Sequence, residues 1–131
     1  MRKVERKLKK HYPTIVSADL LFKEDELSKS RIFEWLIVNQ LKAEFFWRDP
    51  YKNEVDIVLD KKIPLPVEIK YGEIDIQGVS AFMRKFKVNH GVIITRNKEG
   101  KHKVNGSDIL FIPAFKFLLN KKLFTASIKS E

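Results

Sequence analysis

The chain has 131 residues, 44% of them apolar and 33% charged, with five Gly and five Pro; it is neither collagen-like nor wholly disordered, and its length suits a single domain with a real core. It lacks cysteine, which excludes disulfides and thiolate zinc sites, and no apolar run reaches the ~18 residues of a membrane span. Lys and Arg number 26 against 17 Asp and Glu, a net charge of +9 that points first to a phosphate polymer, a nucleic acid, as partner.

The same charge has a competing reading, a lysine-rich surface suited to a hot-growing, thermophilic organism. The start, Met1-Arg2-Lys3-Val4-Glu5-Arg6-Lys7, is too charged to lead into a signal peptide, so a cytoplasmic location without membrane contact is expected. Residues 1–13 are expected as a basic arm or a short helix, closed by His11-Tyr12-Pro13. Residues 14–124 read as the domain proper and residues 125–131 as a loose tail. Within the domain, residues 14–29 hold a short packed segment and the solvated cluster Glu24-Asp25-Glu26.

A helix is expected over residues 32–42, capped by Ser28 or Ser30, with Phe33, Leu36, Ile37, Gln40 and Leu41 at helical spacing. Glu34 sits at the edge of that stripe, either as a charge near the helix start or as a residue aimed into a site. Glu44-Phe45-Phe46-Trp47-Arg48, Glu54-Val55-Asp56-Ile57-Val58-Leu59 and Val67-Glu68-Ile69-Lys70-Tyr71 read as three strands of an antiparallel meander. Pro64 and Pro66 argue against a ladder where they stand. Asp75 caps a second helix over residues 76–87, whose Val79, Phe82, Met83 and Phe86 make one apolar face. Gly91-Val92-Ile93-Ile94-Thr95 follows as a buried strand, parallel to the third. Residues 96–107 read as a polar stretch with turn signals at Glu99-Gly100 and Asn105-Gly106. Asp108-Ile109-Leu110-Phe111-Ile112 is a fifth strand, and Pro113 opens a last helix with Phe115, Leu118, Leu119 and Lys122 on its inner edge. The sum is a single α/β layer arrangement.

Four charged residues interrupt otherwise apolar strands: Glu54, Asp56, Glu68 and Lys70. Alternation puts Glu54 with Asp56 on one face and Val55 with Ile57 on the other, and pairs Glu68 with Lys70. On neighbouring strands, Asp56, Glu68 and Lys70 can converge. Two close carboxylates repel, and a divalent cation removes that repulsion. Mg²⁺ takes hard oxygen ligands, which Asp56, Glu68 and the Ile69 backbone carbonyl can supply, with Glu34 holding a metal-bound water or a second ion. Lys70 can then orient the attacking water or balance phosphate charge. The bland alternative is a solvated sheet face whose charges pair across strands for a few tenths of a kcal/mol.

Glu34 on a helix, Asp56 on one strand and Glu68-Ile69-Lys70 on the next resemble the PD-(D/E)XK nuclease superfamily core over residues 32–95. The resemblance implies a restriction-endonuclease-like αβββαβ core with a mixed central sheet flanked by helices, as in archaeal Holliday junction resolvases and restriction endonucleases. Val55 stands before Asp56 where the restriction-type pattern has proline, a variation that the superfamily tolerates. Phe33-Glu34-Trp35-Leu36-Ile37-Val38-Asn39-Gln40-Leu41, Phe46-Trp47-Arg48, Glu54-Val55-Asp56 and Pro66-Val67-Glu68-Ile69-Lys70-Tyr71-Gly72 are similar, in that order, to the C-terminal domain of uncharacterised archaeal and bacterial AAA-type ATPases. No G-x-x-x-x-G-K-[ST] loop is present, so the resemblance implies an ATPase partner or a lost N-terminal ATPase half.

The activity so implied is Mg²⁺- or Mn²⁺-dependent hydrolysis of DNA phosphodiester bonds, on branched or unusual DNA, carried by Glu34, Asp56, Glu68 and Lys70. The alternative is a non-catalytic module that keeps the fold and binds DNA or an ATPase. Arg48 either clamps phosphate or pairs with Glu54, and Gln77 either points toward the site or is exposed on its helix. Lys98, Lys101 and Lys103 either touch the DNA backbone or form a solvated turn. Phe115, Phe117, Leu118 and Phe124 cover the sheet edge or form a homodimer surface.

Overall fold

Short apolar runs separated by turn residues assemble into one seven-stranded mixed sheet. The computed structural model describes residues 4–6 and 26–119, with side chains from Arg31 to Phe117. Its strands are β1 (Val4–Arg6), β2 (Phe45–Arg48), β3 (Glu54–Leu59), β4 (Leu65–Lys70), β5 (His90–Thr95), β6 (Gly100–Val104) and β7 (Ser107–Pro113). They lie in the order β1-β2-β3-β4-β5-β7-β6. β1 to β4 are antiparallel neighbours, β4 pairs parallel with β5 across an intervening helix, and β5 pairs parallel with β7. The meander and the crossover match the reading of the sequence.

Other elements differ from it. Val4–Arg6, expected in an arm or helix, pairs with β2, Val4 opposite Trp47 and Arg6 opposite Phe45. An edge strand offers unpaired backbone groups, and three extended residues satisfy them. The remaining residues before Glu26, including the acidic Glu24 and Asp25, lie outside the described residues, as do Lys122, Phe124 and the tail. Helix α1 (Glu26–Leu41) begins earlier than expected, so Ser28 and Ser30 lie inside it rather than capping it. It ends where Lys42 turns left-handed (φ 50) and the Ala43 N–H bonds to the Val38 carbonyl at 3.1 Å. Pro66 stands in the β3–β4 ladder opposite Val58. The ladder to β5 starts one residue later, at Val67, so the ring is tolerated near the beginning of the strand.

β6 also arises where a polar loop was expected. Four of its five residues are exposed, so it has no apolar alternation to reveal it. What makes it is Asn105-Gly106, whose φ values of 50° and 81° suit a two-residue hairpin turn into β7.

Helices cover both faces of the sheet. Helix α2 (Gln77–Phe86) packs Val79, Phe82 and Met83 against Trp47, Val58, Ile93, Ile109 and Phe111. α1 and α3 (Ala114–Leu119) cover the other face, Ile37, Val38, Ala114 and Phe117 meeting Ile57, Val67, Val92 and Ile94. Leu36, expected in the buried stripe of α1, is exposed, and Val38 takes the inward place. In α3 the inner positions are Ala114 and Phe117, whereas Phe115, expected inside, is 55% exposed. The helix leaves β7 directly at Pro113, and that exit angle sets which side faces the sheet. The result is an α/β fold with a mixed central sheet flanked by helices. Among the described residues no helix is long and apolar enough to cross a membrane.

Candidate functional site

Two departures from regular pairing open the sheet beside its acidic residues. Phe45 lies opposite Val58 and Trp47 opposite Val55, so the register shifts between them and β3 carries one extra residue at Asp56-Ile57. Val55 therefore packs toward α2 while Ile57 packs toward α1 and α3, and the shared face expected for them does not form. A bulge of this kind re-aims a side chain. The β3–β4 ladder runs only from Ile57 opposite Val67 to Leu59 opposite Leu65. Past its end, the Ile69 N–H donates to Asp56 Oδ2 at 2.9 Å. A carboxylate thus takes the backbone donor where the partner strand has moved away.

The gap is part of a cleft of about 490 Å³. Asp56, Glu68, Ile69 and Lys70 line it from the strands, and Glu34 from α1. Gln77 and Gly78 line it from the start of α2. Among the described residues, Glu68 is the acidic side chain sealed most deeply, at 5% exposure. Gly78 explains how α2 comes so near: a Cβ there would collide with the Glu54 carbonyl oxygen and lie 2.8 Å from Glu68 Oε2. Only a glycine lets the first turn of the helix lie on the strand. Asp75 prepares that turn by accepting the Gln77 N–H at 2.8 Å, although Ile76 is the capping residue.

Burial raises the pKa of Glu68 most, and the neighbouring Asp56 charge adds to it. Lys70 pulls the other way, while a side-chain hydrogen bond with Asp56 and the charge of Glu54 raise it further, leaving Glu68 pushed up to about 8. Near neutral pH Glu68 is therefore held largely as the acid beside Asp56. Proton and cation compete for the same oxygens.

The rim of the cleft is the β2–β3 turn, where Tyr51, Lys52 and Asn53 stand beside Glu54. Asp49 Oδ1 accepts the N–H groups of Tyr51 and Asn53, both at 2.9 Å, and Oδ2 accepts Asn53 Nδ2 at 2.8 Å. Slight desolvation pushes the Asp49 carboxyl up, but the Asn53 side chain, the two backbone donors and the charge of Lys85 outweigh it and hold it below the usual value. The chain therefore keeps an ionised clamp in this turn.

The other candidates are spread more widely. Arg48 Nη2 lies 3.4 Å from Glu54 Oε2 and its guanidinium 5.5 Å from the Phe46 ring, the ion-pair option of the two open for it. Gln77 lines the cleft. Lys98 follows β5, its ammonium 4.8 Å from the centre of the Phe111 ring and its backbone tied to Thr95 Oγ1. Lys101 and Lys103 are exposed on β6, three strands from β4 in the sheet order. Among the described residues no group of three or more His, Cys, Asp or Glu side chains is placed to hold a metal ion. Glu34 therefore lines the cleft without completing a three-carboxylate set with Asp56 and Glu68.

Sequence reasoning did not single out Tyr51, Lys52, Asn53, Asp75 or Gly78 for this cleft. Gly78 carried a signal, since glycine in the first turn of a helix costs stability unless a close approach needs it. Asp49 two and four residues before Tyr51 and Asn53 carried another, as an Asx-type turn. No family model, curated protein or solved structure matches the chain.

Proposed function

We propose that the chain is a divalent-metal-dependent DNA endonuclease of the PD-(D/E)XK kind, akin to the nuclease-like domain attached to some AAA-type ATPases. The observation that carries this reading is the Asp56–Glu68 pair: a buried acid pressed against a second carboxylate at the floor of an open polar cleft. Such a pair is costly in a purely structural role. It suits a hard cation, because two carboxylates, a backbone carbonyl and water satisfy Mg²⁺ or Mn²⁺. Asp56, Glu68 and the Ile69 carbonyl would hold the ion, and Glu34, which lines the same cleft, would hold a metal-bound water or a second ion. Bound there, the ion would lower the pKa of a water and neutralise phosphate charge.

The remaining work falls to the protein's own groups. Ile69 N–H orients the Asp56 carboxylate. Lys70, at the end of β4, supplies positive charge beside the pair and can stabilise charge growing on a phosphate. Gly78 lets α2 close the site against water on its inner side.

The test is cleavage of labelled linear, single-stranded and junction DNA with Mg²⁺ or Mn²⁺. Asp56→Ala and Glu68→Ala are expected to lose cleavage by at least ~100-fold while keeping most DNA binding. Variants that cut as well as the parent chain would remove the proposal. DNA binding without metal-dependent cutting of any substrate would leave the binding-module reading in its place.

A further inference from the structure

We propose that Tyr51 is a stacking platform for an unpaired base, so that the cleft takes DNA strands with a splayed or unpaired nucleotide beside the phosphate to be cut. This rests on the nuclease reading for the role of that phosphate. Tyr51 is 84% exposed, leaving a large apolar ring in water. It lines the same cleft as Asp56, Glu68 and Lys70.

The turn beneath the ring is built rather than slack. Besides the three bonds to the Asp49 carboxylate, the Asp49 N–H donates to the Asn53 carbonyl at 3.0 Å and the Lys52 N–H to the Asp49 carbonyl at 3.3 Å. Lys52 is held at φ 67, a left-handed conformation that a non-glycine residue keeps only where its surroundings impose it. Folding has thus fixed the backbone under a side chain that is too exposed to contribute to the core. An exposed aromatic on a fixed backbone lowers the ordering cost of binding a flat ligand.

Its neighbours select the ligand. Lys52 and Lys70 line the same cleft as the ring. An exposed π-face that shares a cleft with two lysines matches a nucleotide, with base on ring and phosphate on ammonium. A base inside a duplex already has both faces stacked, so only an unpaired or terminal base can lie on Tyr51. Forks, flaps and junctions offer such bases.

The full chain is tested in EDTA at ~50 mM salt, where charge contacts are strong and metal-dependent cutting is blocked. The probes are a fully paired duplex and a fork of the same sequence carrying 2-aminopurine at the first splayed position. The parent chain should prefer the fork and quench the 2-aminopurine. Tyr51→Ala should weaken fork binding about tenfold, abolish the quench and leave duplex binding unchanged. Tyr51→Phe and Tyr51→Trp should retain the fork preference. Asp49→Ala, which frees the turn but keeps the ring, should lose part of it. Fork binding by Tyr51→Ala equal to the parent's, or an equal loss on duplex and fork, would overturn the platform, as would a parent chain with no fork preference. A chain that prefers forks through Tyr51 yet never cuts DNA would keep the platform and remove the nuclease reading. A chain that cuts, and stops cutting as Asp56→Ala, while Tyr51→Ala binds forks normally, would do the reverse.

Discussion

At the scale of single residues, Glu68 holds the most tension. Its pKa is about 8 in the folded chain against an ordinary value of 4.5. Between those values the folded state keeps a proton that the unfolded chain has released. Stability therefore falls as pH rises through that window, by at most about 1.4 kcal/mol per unit, and is unaffected by this group below it. Thermal melts in EDTA should show a midpoint that drops steadily from pH 5 to 8.5. Glu68→Gln keeps the shape without the titration, and its midpoint should be flatter over the same range. A parent midpoint that is level or rising across it would show that the acid is not held in this way. The identities of Asp56, Glu68 and Lys70 were legible as charges inside apolar strands. Their depth was not, because burial of Glu68 depends on a helix that follows it in the chain and packs back over it.

At the scale of elements, α2 decides how the cleft is closed, and two glycines decide where α2 lies. Gly78 brings the start of the helix onto the Glu54 carbonyl and Glu68, while a Cβ at Gly91 on β5 would collide with Val79 and lie 2.9 Å from Met83 Sδ. Gly91→Ala pushes against the middle of the helix in the core, at an expected cost of about 1–3 kcal/mol in chemical denaturation. Gly78→Ala strains the first turn instead, and should cost a similar amount while also weakening any metal-dependent stabilisation measured with added Mn²⁺. Equal stability of both variants and the parent would mean that α2 sits farther from the sheet. The apolar face of α2 was readable from Val79, Phe82, Met83 and Phe86 at helical spacing. The equivalent reading for α3 failed at Phe115, because a short helix leaving a strand without a linker has its orientation set by the strand.

For the molecule as a whole, the excess of positive charge matters through its position. Thr95 and Pro113, the last residues of β5 and β7, stand opposite each other at the end of the sheet where β4 finishes with Lys70. The Lys98 turn therefore lies at the cleft's end of the sheet, and β6 carries Lys101 and Lys103 away from it along the edge. At about 4.8 Å per strand, three strand spacings separate β4 from β6 by roughly 14 Å, less than the width of a DNA duplex. On the proposed function those lysines would meet phosphates that flank a strand held in the cleft, and would read no base. Lys101→Glu with Lys103→Glu should weaken duplex and fork binding alike and make the logarithmic salt dependence shallower, by about one unit for each phosphate that is no longer neutralised. An unchanged salt slope would place the DNA elsewhere on the surface.

Much of this protein was settled by local pattern. Alternation, helical spacing and turn residues determined the meander, the crossover helix, the buried parallel strand and the presence of acidic residues within strands, because each depends on neighbours a few positions away. The tertiary structure alone decided the bulge that turns Asp56, the Ile69 N–H that meets it, the burial of Glu68 beneath Gly78, the ladder through Pro66 and the edge strand β1. Those features arise from pairing register and close approach between distant segments. A strand slipped by one residue, or a helix raised by one methyl group, would leave the local pattern unchanged and the cleft rearranged.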